Sequence, residues 1–294
     1  MDKAGELIER HQAGGKFVEV DGLKIFYREE GTGGRTPLIL THGIPRSSFL
    51  YRRMLPLLGQ QRRVIAWDLY GFGLSDKPTE AWRYRFPRFE EFLGRFIDEL
   101  GIEKAHLVCH DVGGPFTIGY AVRHPERTRT LTILNTTVFL KGFRIPGPVL
   151  ASILTPMFIH RRLISDDFFG RWILGYMQSK AHKDPLSLSG AEGAAWQELI
   201  TREGGRLTLI RTLKAYRVVW PYLRRIQKAL PSFRRPTLIL WGKRDPFCPA
   251  PLACKFMRLL PNAKLDMLDA GHFLQEDEPA AAAKIILDFI NQGD

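Results

Sequence analysis

Cys109-His110-Asp111-Val112-Gly113-Gly114 places a single carboxylate between an apolar run and a pair of glycines. Residues His106 to Cys109 suit a short buried strand, and Pro115 to His124 read as the helix that follows, with Pro115 in its first turn. Asp111 therefore falls on a strand-to-helix elbow. Such a turn is tight and strained and needs small neighbours, which Cys109, Gly113 and Gly114 supply. The serine version of this turn, G-x-S-x-G, occurs nowhere in the chain. Taken alone, Asp111 also reads as the cap of a helix beginning at Val112, because aspartate is a preferred N-cap. The remainder of the chain has to choose between the two.

Working outward, Lys16 to Val20 and Leu23 to Tyr27 are strand-like runs joined through Asp21-Gly22, a strong hairpin signal. Short apolar runs follow at Pro37 to Thr41, Arg63 to Trp67, Ala105 to Cys109, Thr130 to Leu134, Thr237 to Trp241 and Ala263 to Leu268. Helical stretches such as Phe89 to Leu100 separate most of them. The pattern predicts an α/β fold with a mostly parallel, eight-stranded sheet flanked by helices. Between Leu134 and Thr237 about a hundred residues contain no strand candidate, too many for a simple crossover. A helical lid inserted at residues 137–232 is expected, with the core domain formed by 1–136 and 233–294. No internal repeat or low-complexity segment interrupts this organisation.

At 294 residues, with 45% hydrophobic and 25% charged residues, the chain has the composition of a soluble globular enzyme with a full core. Its three cysteines, Cys109, Cys248 and Cys254, show neither metal-ligand spacing nor a disulfide framework, which predicts a reducing, cytoplasmic setting. Met1 to Gly15 lacks the apolar centre of a signal peptide. The longest apolar stretch, around Val149 to Ile159, is broken by Pro156 and too short to span a bilayer, so no integral membrane association is expected. The net charge is +12. From Gly204 to Arg235 there is no acidic residue, while Arg206, Arg211, Lys214, Arg217, Arg224, Arg225, Lys228, Arg234 and Arg235 are all basic. Such a face attracts nucleic acid, anionic lipid or an acidic substrate. With no nucleic-acid motif beside it, it reads as a solvated basic face, and no nucleic-acid partner is expected.

Five motifs then fall at strand ends in one order: His42-Gly43-Ile44-Pro45, Asp68-Leu69-Tyr70-Gly71-Phe72-Gly73-Leu74-Ser75-Asp76-Lys77-Pro78, the elbow at Asp111, Trp241-Gly242-Lys243-Arg244-Asp245-Pro246, and Gly271-His272-Phe273. With them the chain resembles, over roughly Lys16 to Phe289, the α/β-hydrolase superfamily in its aspartate-nucleophile branch of epoxide hydrolases and haloalkane dehalogenases. The resemblance implies a triad in the order nucleophile, acid, histidine: Asp111, Asp245, His272. Asp111, ionised at neutral pH, would attack an sp3 carbon and form an alkyl ester. His272 would deprotonate the water that hydrolyses this ester, with Asp245 fixing the imidazole tautomer. The alternative place for the acid, after the sixth strand, reads Leu134-Asn135-Thr136 and offers no carboxylate. Backbone N–H groups of Ile44 and Val112 are expected to stabilise the ester oxyanion. His42, Pro45, Asp68, Gly71 and Gly73 are expected to shape the loops beneath the site, and His110 to be a packing or hydrogen-bonding neighbour.

The branch point rests on the lid. Haloalkane dehalogenases hold the departing halide with an indole N–H directly after the nucleophile and a second Trp or Asn, whereas here those places are Val112 and Ile44. Trp172 or Trp220 from the lid is the remaining source of such a donor, although tryptophan in a lid helix more often packs. Epoxide hydrolases need a lid acid to protonate the oxirane oxygen, usually a pair of tyrosines. Leu213-Lys214-Ala215-Tyr216-Arg217 resembles the stretch carrying one of them, with Tyr216 lying 29 residues (245 minus 216) before Asp245. Tyr216 also shares helical spacing with Leu207, Ile210, Leu213 and Trp220, which suits an inward-facing donor and a core residue equally. For the other donor His160 stands 49 residues (160 minus 111) after Asp111, with Tyr176 and Tyr222 as competitors. Trp172, Tyr176 and Trp220 are expected to line the substrate pocket. The expected activity is a hydrolase that opens an epoxide to a vicinal diol, the alternatives being a haloalkane dehalogenase or a hydrolase of haloacids or β-lactones. The partners implied are a small apolar epoxide or alkyl halide and water, with no metal or organic cofactor. A homo-oligomer is compatible with the sequence but not specified by it.

Overall fold

Asp21 (φ 52°) and Gly22 (φ 72°) both adopt left-handed backbone, as a two-residue type I′ turn requires. They join β1 (Gly15–Val20) to an antiparallel β2 (Leu23–Glu30), with Val20 opposite Leu23. Six more strands complete the sheet: β3 (Leu38–Thr41), β4 (Val64–Trp67), β5 (Ala105–His110), β6 (Thr128–Leu134), β7 (Thr237–Gly242) and β8 (Ala263–Leu268). The computed structural model describes residues 2–33, 36–163, 172, 175–177, 179–184, 188 and 190–292. The strand order is β1-β2-β4-β3-β5-β6-β7-β8, with β2 antiparallel to β4 and all later pairings parallel. Every residue of β3, β4, β5 and β7 is buried. Strands covered on both faces carry continuous rather than alternating apolar runs, which is why these segments stand out in the sequence.

The helices of the core are α1 (Lys3–Ala13), α2 (Leu55–Gly59), α3 (Phe86–Glu99) and α4 (Gly113–Arg123), followed after the insertion by α10 (Pro251–Leu259), α11 (Leu274–Asp277) and α12 (Pro279–Asn291). In α3 the buried residues Phe89, Phe92, Leu93, Phe96 and Ile97 recur at three- and four-residue steps, giving one apolar stripe. That stripe meets the sheet where the Phe96 ring stacks on Trp67 at 4.6 Å. Between β6 and β7 every element among the described residues is helical: α5 (Gly147–Leu154), α6 (Met157–Leu163), α7 (Gly190–Thr201), α8 (Gly205–Lys214) and α9 (Trp220–Ala229), with short 3-10 turns.

Charged and polar groups tie this insertion to the core. Glu192 on α7 accepts from Arg52 (2.6 Å) and Arg53 (2.8 Å), and the buried Arg46 guanidinium lies between the rings of Trp196 (4.2 Å) and Phe273 (4.1 Å). On the other side Glu90 of α3, itself buried, accepts from the Tyr222 hydroxyl (2.6 Å) and Arg225 (2.9 Å) of α9, and pairs with Arg123 of α4 (3.0 Å). Truncating Glu90 leaves the buried Tyr222 hydroxyl without its carboxylate partner. We therefore expect Glu90→Ala to lower unfolding stability by about 1–3 kcal/mol, measured by urea denaturation followed by circular dichroism.

Candidate active site

Asp111 stands between the end of β5 and the start of α4 with φ 50°, a conformation that costs a non-glycine residue about 1–3 kcal/mol. Close packing holds it there. A Cβ on Gly43 would lie 2.3 Å from Asp111 Cβ, and one on Gly114 would lie 2.0 Å from Thr136 Oγ1, so neither position admits a side chain without movement. The carboxylate does not cap α4. The helix is preceded by Val112 with no side-chain cap, and Asp111 Oδ1 accepts from the Ile44 N–H at 2.8 Å, with the Val112 N–H also bonded to the carboxylate.

His272, in the loop after β8, lies between two carboxylates. Its Nε2 is 3.3 Å from Asp111 Oδ2 and its Nδ1 2.8 Å from Asp245 Oδ2. Asp245 follows β7 and is saturated with donors: Phe247 N–H (2.8 Å) and Cys248 N–H (3.0 Å) on Oδ1, and the Asn135 amide (2.6 Å) on Oδ2. Burial alone would push the His272 pKa down, but the charges of Asp245 and Asp111 and the bonds to both outweigh it and raise it to about 10. For Asp111 burial works upward, and the contacts with His272 more than offset it, leaving its carboxyl below the usual range. The two shifts agree on an ion pair. Donor atoms of Asp245, Cys248 and His272 lie within 4.8 Å of one another, but the N–H groups already engaging Asp245 make this a hydrogen-bonded cluster rather than a metal centre.

The loop that carries His272 is clamped from below and above. His110 donates through Nε2 to the His272 carbonyl at 2.9 Å, and burial, reinforced by His272, drives the His110 pKa down to about 3, so the ring is neutral. The His272 N–H donates to the Ala181 carbonyl in the insertion (2.6 Å). Asp277 accepts from Gly271 N–H (2.7 Å) and Lys183 N–H (2.8 Å), with His182 Nδ1 at 3.1 Å. His42 and Asp68 shape the loops underneath: His42 donates to Gly43 O (2.7 Å) and accepts from Leu69 N–H (3.0 Å), while Asp68 accepts from Ser48 and Leu74 N–H groups.

Above Asp111 a cavity of about 50 Å3 is walled by apolar side chains, among them Phe143, Val149, Ile153, Leu209 and Leu213, with room for only a few water molecules. The polar side chains among its described lining residues are those of Asp111, His272 and Tyr216. Tyr216 sits in the 3-10 turn Ala215–Val218, its ring edge-on to Phe86 at 5.1 Å. Burial, then the nearby Asp111 charge, raises its pKa well above the ordinary phenol value, so it stays protonated. Its hydroxyl takes no hydrogen bond among the described residues.

Other expected site residues are not brought here. His160 is buried but turned to the Ser152 carbonyl (3.2 Å), while its own carbonyl is bound by Arg206, and it does not line the cavity. Trp172 and Trp220 are exposed and absent from the wall. The single helical face expected from Leu207 to Trp220 is broken, because α8 ends at Lys214 and α9 begins at Trp220 with Pro221 in its first turn. Tyr176 stacks on Phe247 (6.3 Å), one layer behind the wall, and Tyr222 is tied to Glu90. In the sequence Asn135 reads only as a place lacking a carboxylate. Instead its side-chain Nδ2 donates to Asp245 and its side-chain Oδ1 accepts from Gly242 N–H at 2.9 Å. A polar residue ending the apolar run Thr130 to Leu134 was the available signal.

A family model described as the alpha/beta hydrolase fold matches residues 36–160. Among curated relatives, haloalkane dehalogenase 2 of Mycobacterium tuberculosis is 31% identical over 278 residues, covering 90% of this chain and 91% of that one. A cis-3-alkyl-4-alkyloxetan-2-one decarboxylase of Shewanella oneidensis is also 31% identical, covering 89% and 83%. Among solved structures, haloalkane dehalogenase DbeA from Bradyrhizobium elkani superposes with a TM-score of 0.79 at 26% identity, covering 95% and 97%. The agreement extends over nearly the whole chain and includes the insertion. With an aspartate on the strained elbow and a histidine bridging it to a second aspartate, the chain belongs to the α/β-hydrolase superfamily, in its aspartate-nucleophile branch.

Proposed function

We propose that this hydrolase opens small apolar epoxides to vicinal diols through an ester on Asp111. The observation that carries the reading is Tyr216: a protonated phenol, free of other hydrogen bonds among the described residues, in an apolar cavity with Asp111. Displacement of an alkoxide needs a proton donor, whereas displacement of halide does not. In the first step Asp111 attacks an oxirane carbon, the ring C–O bond breaks, and the oxygen takes the Tyr216 proton. In the second, His272 removes a proton from water, the hydroxide adds to the ester carbonyl, and the Ile44 and Val112 N–H groups bind the resulting oxyanion. The proton that His272 sheds once Asp111 is esterified returns through water to the Tyr216 phenolate; collapse then releases the diol, its departing oxygen taking the hydroxyl proton of the intermediate, and restores the Asp111 carboxylate beside protonated His272. The amide of Asn135, just after β6, and the N–H groups of Phe247 and Cys248 would keep Asp245 aimed at His272 throughout.

The His272 pKa supports this division of labour. It reaches about 10 because two carboxylates flank the ring. Esterification neutralises Asp111, removes one of those charges, and lets the pKa fall, so the imidazole becomes a base only after the first step. Haloalkane dehalogenation is the second reading, favoured by the 31% identical mycobacterial relative. Against it, no tryptophan or asparagine side chain stands among the described cavity-lining residues to hold a halide.

His272→Gln should alkylate but not hydrolyse, so incubation with styrene oxide should add one substrate mass at Asp111 by peptide mass spectrometry. An unlabelled protein under these conditions would exclude the two-step scheme. In single-turnover experiments on the wild type, alkylation should be flat with pH across the neutral range, because Asp111 is held ionised below it. Hydrolysis of the ester should slow as pH falls through the lowered His272 pKa, since protonation removes the base. Tyr216→Phe should slow styrene oxide opening by about a hundredfold or more while sparing any bromide release from 1-bromobutane. Equal losses on both substrates would make Tyr216 a packing residue, and halide release without diol would establish the dehalogenase reading.

A further inference from the structure

The net charge of +12 has one origin. Residues 137–163 and 205–235 together hold thirteen basic residues and no acidic one, so 43 less 13 leaves 30 basic against 31 acidic residues elsewhere. The same segments hold most of the exposed apolar surface. Of nine large apolar side chains exposed among the described residues, six lie in these two segments. Leu154 (61% exposed), Phe158 (68%), Val218 (61%) and Trp220 (48%) stand out furthest.

These residues are brought together by backbone contacts. Arg217 donates to the Leu154 carbonyl at 3.2 Å and Lys214 to the Ile153 carbonyl at 3.1 Å, which sets the Val218–Trp220 turn beside the end of α5. Along α9, Trp220, Arg224 and Lys228 are exposed at four-residue steps and so share one face. Helix α5 is apolar on both sides: Val149 and Ile153 face the catalytic cavity, while Leu150 and Leu154 face out uncovered. A helix apolar all round is at home where its outer side also leaves water. No helix among the described residues is long and apolar enough to cross a membrane.

We propose that this face, bare leucine, phenylalanine, valine and tryptophan side chains ringed by Arg217, Arg224 and Lys228, docks on an anionic lipid surface. Apolar side chains would enter the headgroup boundary and the cations would meet acidic headgroups. A second copy of the chain fits the face poorly, since it would bring the same cations against each other. Docking this way sets the active-site cavity one helix away from the phase in which apolar substrates concentrate. The proposal does not depend on which bond Asp111 attacks.

The full-length protein is floated with vesicles of phosphatidylcholine alone or mixed with an equal part of phosphatidylglycerol. We expect flotation with the mixed vesicles, less with the neutral ones, and release at about 0.5 M salt, where the Debye length is short. The pairs Leu154→Ser with Phe158→Ser, and Arg224→Glu with Lys228→Glu, should each lower the bound fraction about tenfold. Both should leave circular dichroism and turnover of a dissolved substrate unchanged, because none of these residues lines the cavity. Absence of flotation, flotation indifferent to both pairs, retention on polyglutamate without flotation, or a dimer lost on Leu154→Ser with Phe158→Ser would each overturn the proposal.

Discussion

A buried imidazole flanked by two carboxylates is the interaction on which the arrangement of the site depends. Taken from water singly, each of these three groups would resist its charge; together they form a chain, Asp111 to His272 to Asp245, in which each charge lowers the cost of the next. The cluster is stable only while every remaining oxygen of Asp245 is bound and the His272 loop cannot shift. That explains why donors to Asp245 converge from just after β6 and from the turn after β7, while the insertion supplies the Ala181 carbonyl that holds the His272 backbone. Within the proposed reaction the same chain acts as a timer, because esterifying one carboxylate changes the basicity of the ring between them.

Backbone strain sets the other boundary condition. A left-handed aspartate is tolerated because Gly43 and Gly114 let neighbouring chains close on the elbow. The energy stored there is supplied by the sheet, whose central strands are buried at every residue. The insertion is tied in at both ends of the site, through Glu192 and Arg46 near the His272 loop and through Glu90 on the opposite side. The segment at Ala181 to Lys183 even supplies the carbonyl that holds the His272 backbone. The insertion and the His272 loop are thus one hydrogen-bonded unit, so packing changes in the helices above should be felt by the histidine below.

The sheet was legible because its periodicity is local: a fully buried strand must be continuously apolar, and a two-residue turn must place residues such as Asp21 and Gly22 at positive φ. The elbow was legible for a similar reason, since few residue types fit beside it. The companion expected for Tyr216 was not, nor the place of the lid tryptophans. His160 and Trp220 have suitable chemistry and spacing, yet one ring is spent on the Ser152 carbonyl and the other faces outward after the break at Pro221. Which way a side chain points from a broken helix depends on crossing angles that no residue spacing records. Asn135 illustrates the converse, a residue read as the absence of an acid that turns out to steady the acid used instead.

By itself, then, the sequence determined the α/β sheet, the helical character of the insertion and the identity of the elbow carboxylate, because each is imposed by neighbours a few residues away. Tertiary structure alone decided the convergence of Asp111, His272 and Asp245, residues spread over 161 positions (272 minus 111), on one buried point. It also put Tyr216 at the cavity, turned His160 and Tyr222 away from it, and left Leu154, Phe158 and Trp220 bare. Those outcomes rest on how helices stack over the sheet, and stacking is a property of shapes in contact rather than of residue order.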